Sequence, residues 1–305
     1  MLSALPACKK TLPSSTPATA TPSLANPTAT PTIDSSELGP IVFLKNFSIW
    51  TMNADGSNQI FITDHSPTGA GLGFWPNWSS DGTKLVVIGR ITTCTPSCSS
   101  EWEIFVLNSN GTGVTQISTI TDPGPRMPLW SPTGDRILYS LTSPGLAGFH
   151  VLKRSGSSWS EESFYPTTLF VGDSYGWYPD GVRFFYSGSD GNLHWIDPAI
   201  PATGLITTDG AVYSHPAISP DGSKFLFTRG ASQLYTMLAN GSGVTLVTPS
   251  NPIFEPSWSA DGTRIIYVFN TFAPDQTDIY SMNPAGTGVA QLTAGLSEDR
   301  FPRWH

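Results

Sequence analysis

The sequence predicts an all-β protein, a six-bladed β-propeller with four-stranded blades, and three observations carry that expectation. The first is a phrase that recurs along the chain. Trp78-Ser79-Ser80-Asp81-Gly82 returns as Trp130-Ser131-Pro132-Thr133-Gly134, Trp177-Tyr178-Pro179-Asp180-Gly181, Ile218-Ser219-Pro220-Asp221-Gly222 and Trp258-Ser259-Ala260-Asp261-Gly262, and begins once more at Trp304. Successive anchors stand 52, 47, 41, 40 and 46 residues apart, the spacing of propeller blades. The second is another phrase between these, in which Ile49-Trp50-Thr51-Met52-Asn53-Ala54-Asp55-Gly56 matches segments 104–111, 234–241 and 279–286. The third is composition. Gly (29) and Pro (27) are abundant, charged residues make up only 12%, and 10 Trp, 9 Tyr and 16 Phe are present. Helical bundles need more charge and fewer turn formers. Disordered chains lack this aromatic content. No apolar run is long enough for a membrane helix. A net charge of −8 argues against a general nucleic-acid binder.

Each repeat reads as strand a running into the Trp, an Asp-Gly turn, strand b, a loop, strand c, an Asx-Gly turn and strand d. Glycine takes positive φ at little cost and Asp bonds its own backbone, so the turns account for both residues. The first segment, 41–44 with 48–53 and 58–62, supplies b, c and d but no a. The last repeat supplies only strand a, at Arg300-Phe301-Pro302-Arg303-Trp304. The two are expected to share one blade, which closes the ring without a free edge strand. The propeller is thus assigned to residues 39–305.

Residues 11–36 contain 7 Thr, 5 Ser and 5 Pro in 26 positions and one charge, Asp34. Such a stretch buries too little apolar surface to offset its ordering entropy. Residues 9–38 are therefore expected to form a disordered tether. Before it, Leu2-Ser3-Ala4-Leu5-Pro6-Ala7-Cys8 resembles the end of a bacterial lipoprotein signal. This makes 1–8 a partial signal-like segment with Cys8 the lipidated residue. No basic segment precedes it and the apolar run is short, so a ragged N-terminus stands as the other reading. Cys94 and Cys98 flank Thr95-Pro96-Ser97 with no second pair to complete a zinc site. A small loop disulfide is expected outside the cytosol, with two free thiols as the alternative.

The two repeated phrases resemble the β-propeller repeats of the TolB family, which also occur in the propellers of prolyl-oligopeptidase-type peptidases. The resemblance spans residues 41–305. It implies a periplasmic scaffold that binds other proteins, notably a lipoprotein. TolB proteins carry a further N-terminal α/β domain, for which the residues before the propeller leave no room. The repeated residues are architectural and assign no role to individual side chains.

The chain has no Gly-x-Ser-x-Gly elbow and no His-Glu-x-x-His. No catalytic residue, metal site or cofactor is assigned. The a–b and c–d turns are short and stereotyped, whereas the b–c and d–a connections, 63–74, 91–101, 119–126, 208–214, 249–254, 270–277 and 294–300, share the opposite face and vary in length. Variable loops on a rigid frame are where sites are built. The residues opening each strand a, Trp75, Met127, Ser174, His215, Glu255 and Phe301, should ring the channel mouth, with Arg126, Asp173 and Arg300 just before. From these, Trp75, Arg126, Asp173, His215, Glu255 and Arg300 are the candidate binding residues.

The expectation is a non-enzymatic, lipid-anchored, extracytoplasmic monomer. Its loop face would engage a protein, peptide or polymer partner in the cell envelope, without nucleic acid, and it would touch the membrane only through the anchor. The first alternative is a hydrolase or lyase acting in the axial channel. A further one is carbohydrate binding with Trp75, Tyr213 and Phe254 as stacking platforms.

Overall fold

The computed structural model describes residues 38–63, 72–94, 98–120, 124–167, 170–200, 202–230, 232–248, 252–270 and 276–305. The expected signal-like segment, Cys8 and nearly all of the tether lie outside the described residues. Among the described residues 24 strands form six four-stranded sheets and no helix occurs.

Blade 1 contains β1 (Ile41–Lys45), β2 (Ser48–Met52) and β3 (Ile60–Thr63). Blade 2 contains β4 (Leu72–Trp78), β5 (Lys84–Cys94), β6 (Cys98–Asn108) and β7 (Thr115–Gln116). Blade 3 contains β8 (Arg126–Trp130), β9 (Arg136–Leu141), β10 (Gly148–Ser155) and β11 (Ser158–Pro166). Blade 4 contains β12 (Phe170–Trp177), β13 (Phe184–Gly188), β14 (Leu193–Asp197) and β15 (Ala202–Leu205). Blade 5 contains β16 (Ser214–Ile218), β17 (Lys224–Arg229), β18 (Gln233–Leu238) and β19 (Thr245–Thr248). Blade 6 contains β20 (Ile253–Trp258), β21 (Ile265–Asn270), β22 (Thr277–Met282) and β23 (Ala290–Gln291).

The last strand, β24 (Asp299–Trp304), returns to blade 1. It lies antiparallel to β1, with Ile41 opposite Trp304 and Lys45 opposite Asp299. The ring closes through hydrogen bonds between chain ends, as the sequence predicts.

The strands form because β-branched and aromatic residues dominate them, and the blades stack because both faces of each sheet are apolar. The middle strands are buried throughout: Ile41 to Leu44, Leu85 to Ile88, Phe225 to Phe227 and Ile265 to Val268 are all core. Six clusters of buried side chains fill the space between blades; one of them joins Ile41, Phe43 and Trp304 of blade 1 to Ile266 and Ile279 of blade 6.

The sequence repeats explain the inner-strand ends. In the first phrase Asp81 Oδ1 accepts from Ser79 Oγ at 2.6 Å and from the Thr83 N–H at 3.0 Å. Asp221 and Asp261 make the same contacts. The anchoring indoles reach the preceding blade in two cases, with Trp177 Nε1 donating to Leu129 O at 3.0 Å and Trp258 Nε1 to Ala217 O at 3.4 Å. One expectation is corrected. The stretch 91–101 is mostly strand rather than variable loop, because β5 runs on to Cys94 and β6 starts at Cys98, with the two cysteines opposite each other in register. The β-branched run Ile91-Thr92-Thr93 and the pairing from Ile91 opposite Glu101 to Cys94 opposite Cys98 outweigh its Thr/Ser-rich appearance. The side chains of both cysteines lie outside the described residues.

Candidate functional site at the channel mouth

The innermost strands share a local device. Trp75, Met127, His215, Glu255 and Phe301 all have left-handed backbone, with φ of 54°, 42°, 49°, 53° and 52°. Each is followed by proline, and each lies where the pairing with the neighbouring strand shifts register. This is a bulge, and proline fits it because the ladder there has no use for an N–H. Recurrence in five of six blades marks it as architecture rather than strain particular to one site. Blade 4 departs: Ser174 precedes Tyr175 instead of proline, and Ser174 Oγ accepts from the His215 N–H at 3.3 Å.

Inside the ring a cavity of about 220 Å³ is lined by Met127, Tyr175, His215, Glu255 and Arg303, among others. Glu255 is 5% exposed. Its carboxylate accepts from the Phe301 N–H at 2.6 Å and from Arg300 at 3.2 Å. Burial pushes its pKa up, and Arg300, the Phe301 N–H and Arg303 only partly offset this. Burial likewise lowers the pKa of Arg303, against the attraction of Glu255.

His215 is pushed down to about 4, by burial first and then by Arg303 and Arg300. Its Nδ1 lies 3.2 Å from Thr228 Oγ1, whose own proton goes to Ser214 O at 3.2 Å. Nδ1 is therefore the donor, and the neutral ring carries its lone pair on Nε2. The channel thus holds the Arg303 guanidinium, a carboxyl group and a neutral imidazole, with the Arg300 guanidinium reaching Glu255 from beside it, in a chain that is acidic overall.

At the mouth a second cavity, about 300 Å³, is built from aromatic rings. Phe74 packs against Phe47, Trp75 and Trp102 at centroid distances of 6.1, 5.7 and 5.6 Å. Trp75 meets Phe301 at 5.7 Å. Phe47, in the β1–β2 turn, is 63% exposed. Arg126, Glu298 and Arg300 complete the lining. Arg300 connects the two cavities. Its guanidinium lies 5.2 Å from the centre of the Phe301 ring and bonds Glu298 at 3.2 Å on one side and Glu255 at 3.2 Å on the other. The Trp75 Nε1 is buried without a partner among the described residues.

The six candidate residues therefore divide. Trp75, Arg126 and Arg300 line the aromatic pocket, whereas His215 and Glu255 line the channel. The side chain of Asp173 lies outside the described residues. Sequence reasoning missed Phe47, Phe74, Trp102 and Arg303. Arg303 follows the bulge at Phe301, where the register shifts, so simple alternation along the strand did not point to it. Phe47 comes from the β1–β2 turn and Trp102 from β6, and no sequence signal pointed to either. The supposed stacking trio does not form one surface. Tyr213 is 3% exposed with its hydroxyl on Asp209, while Phe254 sits edge-on to His215. Among the described residues no three His, Cys, Asp or Glu side chains converge as metal ligands.

The geometry defines a class: a closed six-bladed propeller with a charged channel and, beside it, an aromatic pocket. Comparison with solved structures makes the class more particular. TolB from Acinetobacter baumannii superposes with a TM-score of 0.70 at 17% identity, over 87% of this chain and 66% of that one. The TolB-type protein of Agrobacterium tumefaciens gives 0.61 at 19% identity, over 84% of this chain and 88% of that one. Oligogalacturonate lyase from Vibrio parahaemolyticus gives 0.53 at 12% identity, over 80% and 74%. The fold is a TolB-like propeller, and the chain spans only 66% of the length of the Acinetobacter protein. No family model and no curated protein sequence matches the chain.

Proposed function

We propose that this protein is a non-enzymatic extracytoplasmic binding protein that captures a polypeptide segment of an envelope partner at the aromatic pocket. The observation that carries this reading is the pocket itself. Five aromatic rings line a cavity of about 300 Å³ beside two arginines and a glutamate. Aromatic and arginine side chains around a concave centre are what hot spots of protein recognition use. An apolar or aromatic side chain of the partner would enter between Phe47, Trp75 and Phe301. Acidic groups flanking it would meet Arg126.

The supports for location and anchoring are the Thr/Ser/Pro-rich tether, Cys8 and the TolB-like fold. Mass spectrometry of the cellular protein should find a lipidated Cys8; an unmodified Met1 terminus would rule the anchor out. To test the site, envelope partners are recovered with wild type, Trp75→Ala, Phe47→Ala, Arg126→Ala and Arg300→Ala. Recovery is expected to fall at least tenfold for Trp75→Ala, and equal recovery by all variants would refute the site.

One observation favours a second reading, a lyase in the channel. Neutral His215 offers Nε2 as a base beside Arg300 and Arg303, which would balance the charge of a carboxylate substrate. The cavity of about 220 Å³ accommodates roughly a single sugar rather than a chain, which is why binding at the mouth is the preferred reading. Incubation with oligogalacturonate separates the two readings. An unsaturated product that vanishes with His215→Ala would establish the lyase, and its absence leaves the binding reading.

A further inference from the structure

Blade 6 meets the returning strand of blade 1 at a seam that holds two buried carboxyl groups. Asp278 in β22 is 2% exposed, and Asp299 at the start of β24 is fully buried. Gln291 donates to Asp278 Oδ2 at 3.2 Å. Among the described residues, Asp278 Oδ1, both carboxyl oxygens of Asp299 and the neighbouring Ser297 Oγ have no hydrogen-bond partner. Ser297 is 6% exposed. The Thr293 and Ser297 hydroxyls lie close enough to Asp299 to favour its ionised form, yet short of hydrogen-bond geometry. Thr293 Oγ1 accepts the Ile279 N–H at 2.9 Å.

Buried polar atoms are normally satisfied, so four bare oxygens in one place need a cause. The repeat shows how different this blade is. In blade 2 the position matching Asp278 is Glu103, whose carboxylate takes the Ser118 hydroxyl and the Ile120 N–H. In blade 4 it is Asn192, whose Oδ1 accepts the Gly210 N–H at 2.9 Å. Blade 6 instead adds a second carboxyl group from β24. Burial, and then the charge of Asp299, push Asp278 up to about 6. Lys45 acts favourably on both, but its ammonium donates to Gln59 Oε1 at 3.1 Å and lies 5.6 Å from the centre of the Trp50 ring.

We propose that Asp278, Asp299 and Ser297 bind a divalent cation, calcium, that clips blade 6 to the closing strand of the ring. The donor set is all oxygen, which suits a hard cation rather than zinc. Two carboxylates neutralise a charge of +2. Calcium tolerates irregular oxygen geometry, whereas magnesium demands an octahedron and keeps several waters, for which so buried a wall leaves little space. Asp278 and Asp299 belong to different blades, and the Thr277 hydroxyl already ties β22 to the Asp299 carbonyl at 2.9 Å. A cation here binds only the closed ring, so it stabilises the fold by mass action.

The test uses the full chain, stripped with chelator, then titrated with calcium chloride by calorimetry and followed by thermal unfolding. One calcium per chain and a rise in Tm of several degrees are expected, with a smaller rise for magnesium chloride. Asp278→Asn and Asp299→Asn keep the shape and remove charge repulsion. They should fold, with a chelated Tm at or above wild type, and lose the response to calcium. Ser297→Ala should bind calcium several-fold more weakly. No response in wild type, or an undiminished response in both Asn variants, would overturn the proposal.

Discussion

At the scale of single residues, burial and charge at the channel decide behaviour. His215 ionises near pH 4 when folded, against 6.5 when unfolded. Between those values the unfolded chain binds the extra proton, so this residue makes stability rise with pH, by up to about 1.4 kcal/mol per unit. The contribution is complete above 6.5 and lost as pH falls through 4. Glu255 works the other way. Its raised pKa makes stability fall as pH rises from its unfolded value through its folded one. His215→Gln should therefore gain less stability than wild type when pH is raised from 4 to 6.5, as read from urea midpoints. Curves of equal slope would show that the imidazole is not buried beside arginines. Glu255→Ala removes the acceptor of both Arg300 and the Phe301 N–H. It should cost about 2–3 kcal/mol in chemical denaturation, while Glu255→Gln, which still accepts the backbone bond, should cost less.

Strands and turns are the scale at which the sequence was most legible. The Asp and Gly of the first phrase were expected to be turn residues, and Asp81 caps its own turn with the Ser79 hydroxyl and the Thr83 N–H. What the sequence did not reveal is that its two families of glycine differ. At Gly262, in an a–b turn, φ is +72° and an added Cβ would meet only Pro220 Cδ at 3.6 Å. At Gly286, in a c–d turn, φ is +78° and the Cβ would stand 2.3 Å from the Val247 carbonyl oxygen of the preceding blade. Gly262→Ala should cost about 1–2 kcal/mol, the price of left-handed backbone alone. Gly286→Ala should cost at least about 2 kcal/mol more, because blade 6 must move off blade 5. Equal costs by urea unfolding would show that the c–d turns do not set the distance between blades. The hairpin through 91–101 was read as a loop for a related reason: its polar residues obscured a strand pattern that the backbone ladder completes.

For the whole molecule, closure is the controlling event. Trp304 is 8% exposed and packs into the cluster shared by blades 1 and 6. Trp304→Ala should cost about 3–5 kcal/mol. It should also broaden the single unfolding transition, since the ring opens where β24 leaves β1. A sharp transition with an unchanged midpoint in differential scanning calorimetry would show that closure contributes little. The aromatic pocket depends on the same event, because Phe301 and Arg300 come from β24 while Phe74 and Trp75 come from β4.

The residues expected to open each inner strand stand inside it, since these strands start at Leu72, Arg126, Phe170, Ser214, Ile253 and Asp299, but the sequence by itself determined the fold class, the number of blades, the turn chemistry and the shared closing blade. These depend on local patterns: alternation along strands, turn residues at fixed offsets, and a period long enough to count. Tertiary structure alone decided how those residues are shared out. It gathered Trp75, Arg126 and Arg300 with Phe47, Phe74 and Trp102 in one pocket, left His215 and Glu255 with Arg303 in the channel, and brought Asp278 to Asp299 across the seam. The physical reason is that each grouping joins side chains from different blades, and which of them meet is fixed by how neighbouring blades are packed and rotated, information no single repeat contains.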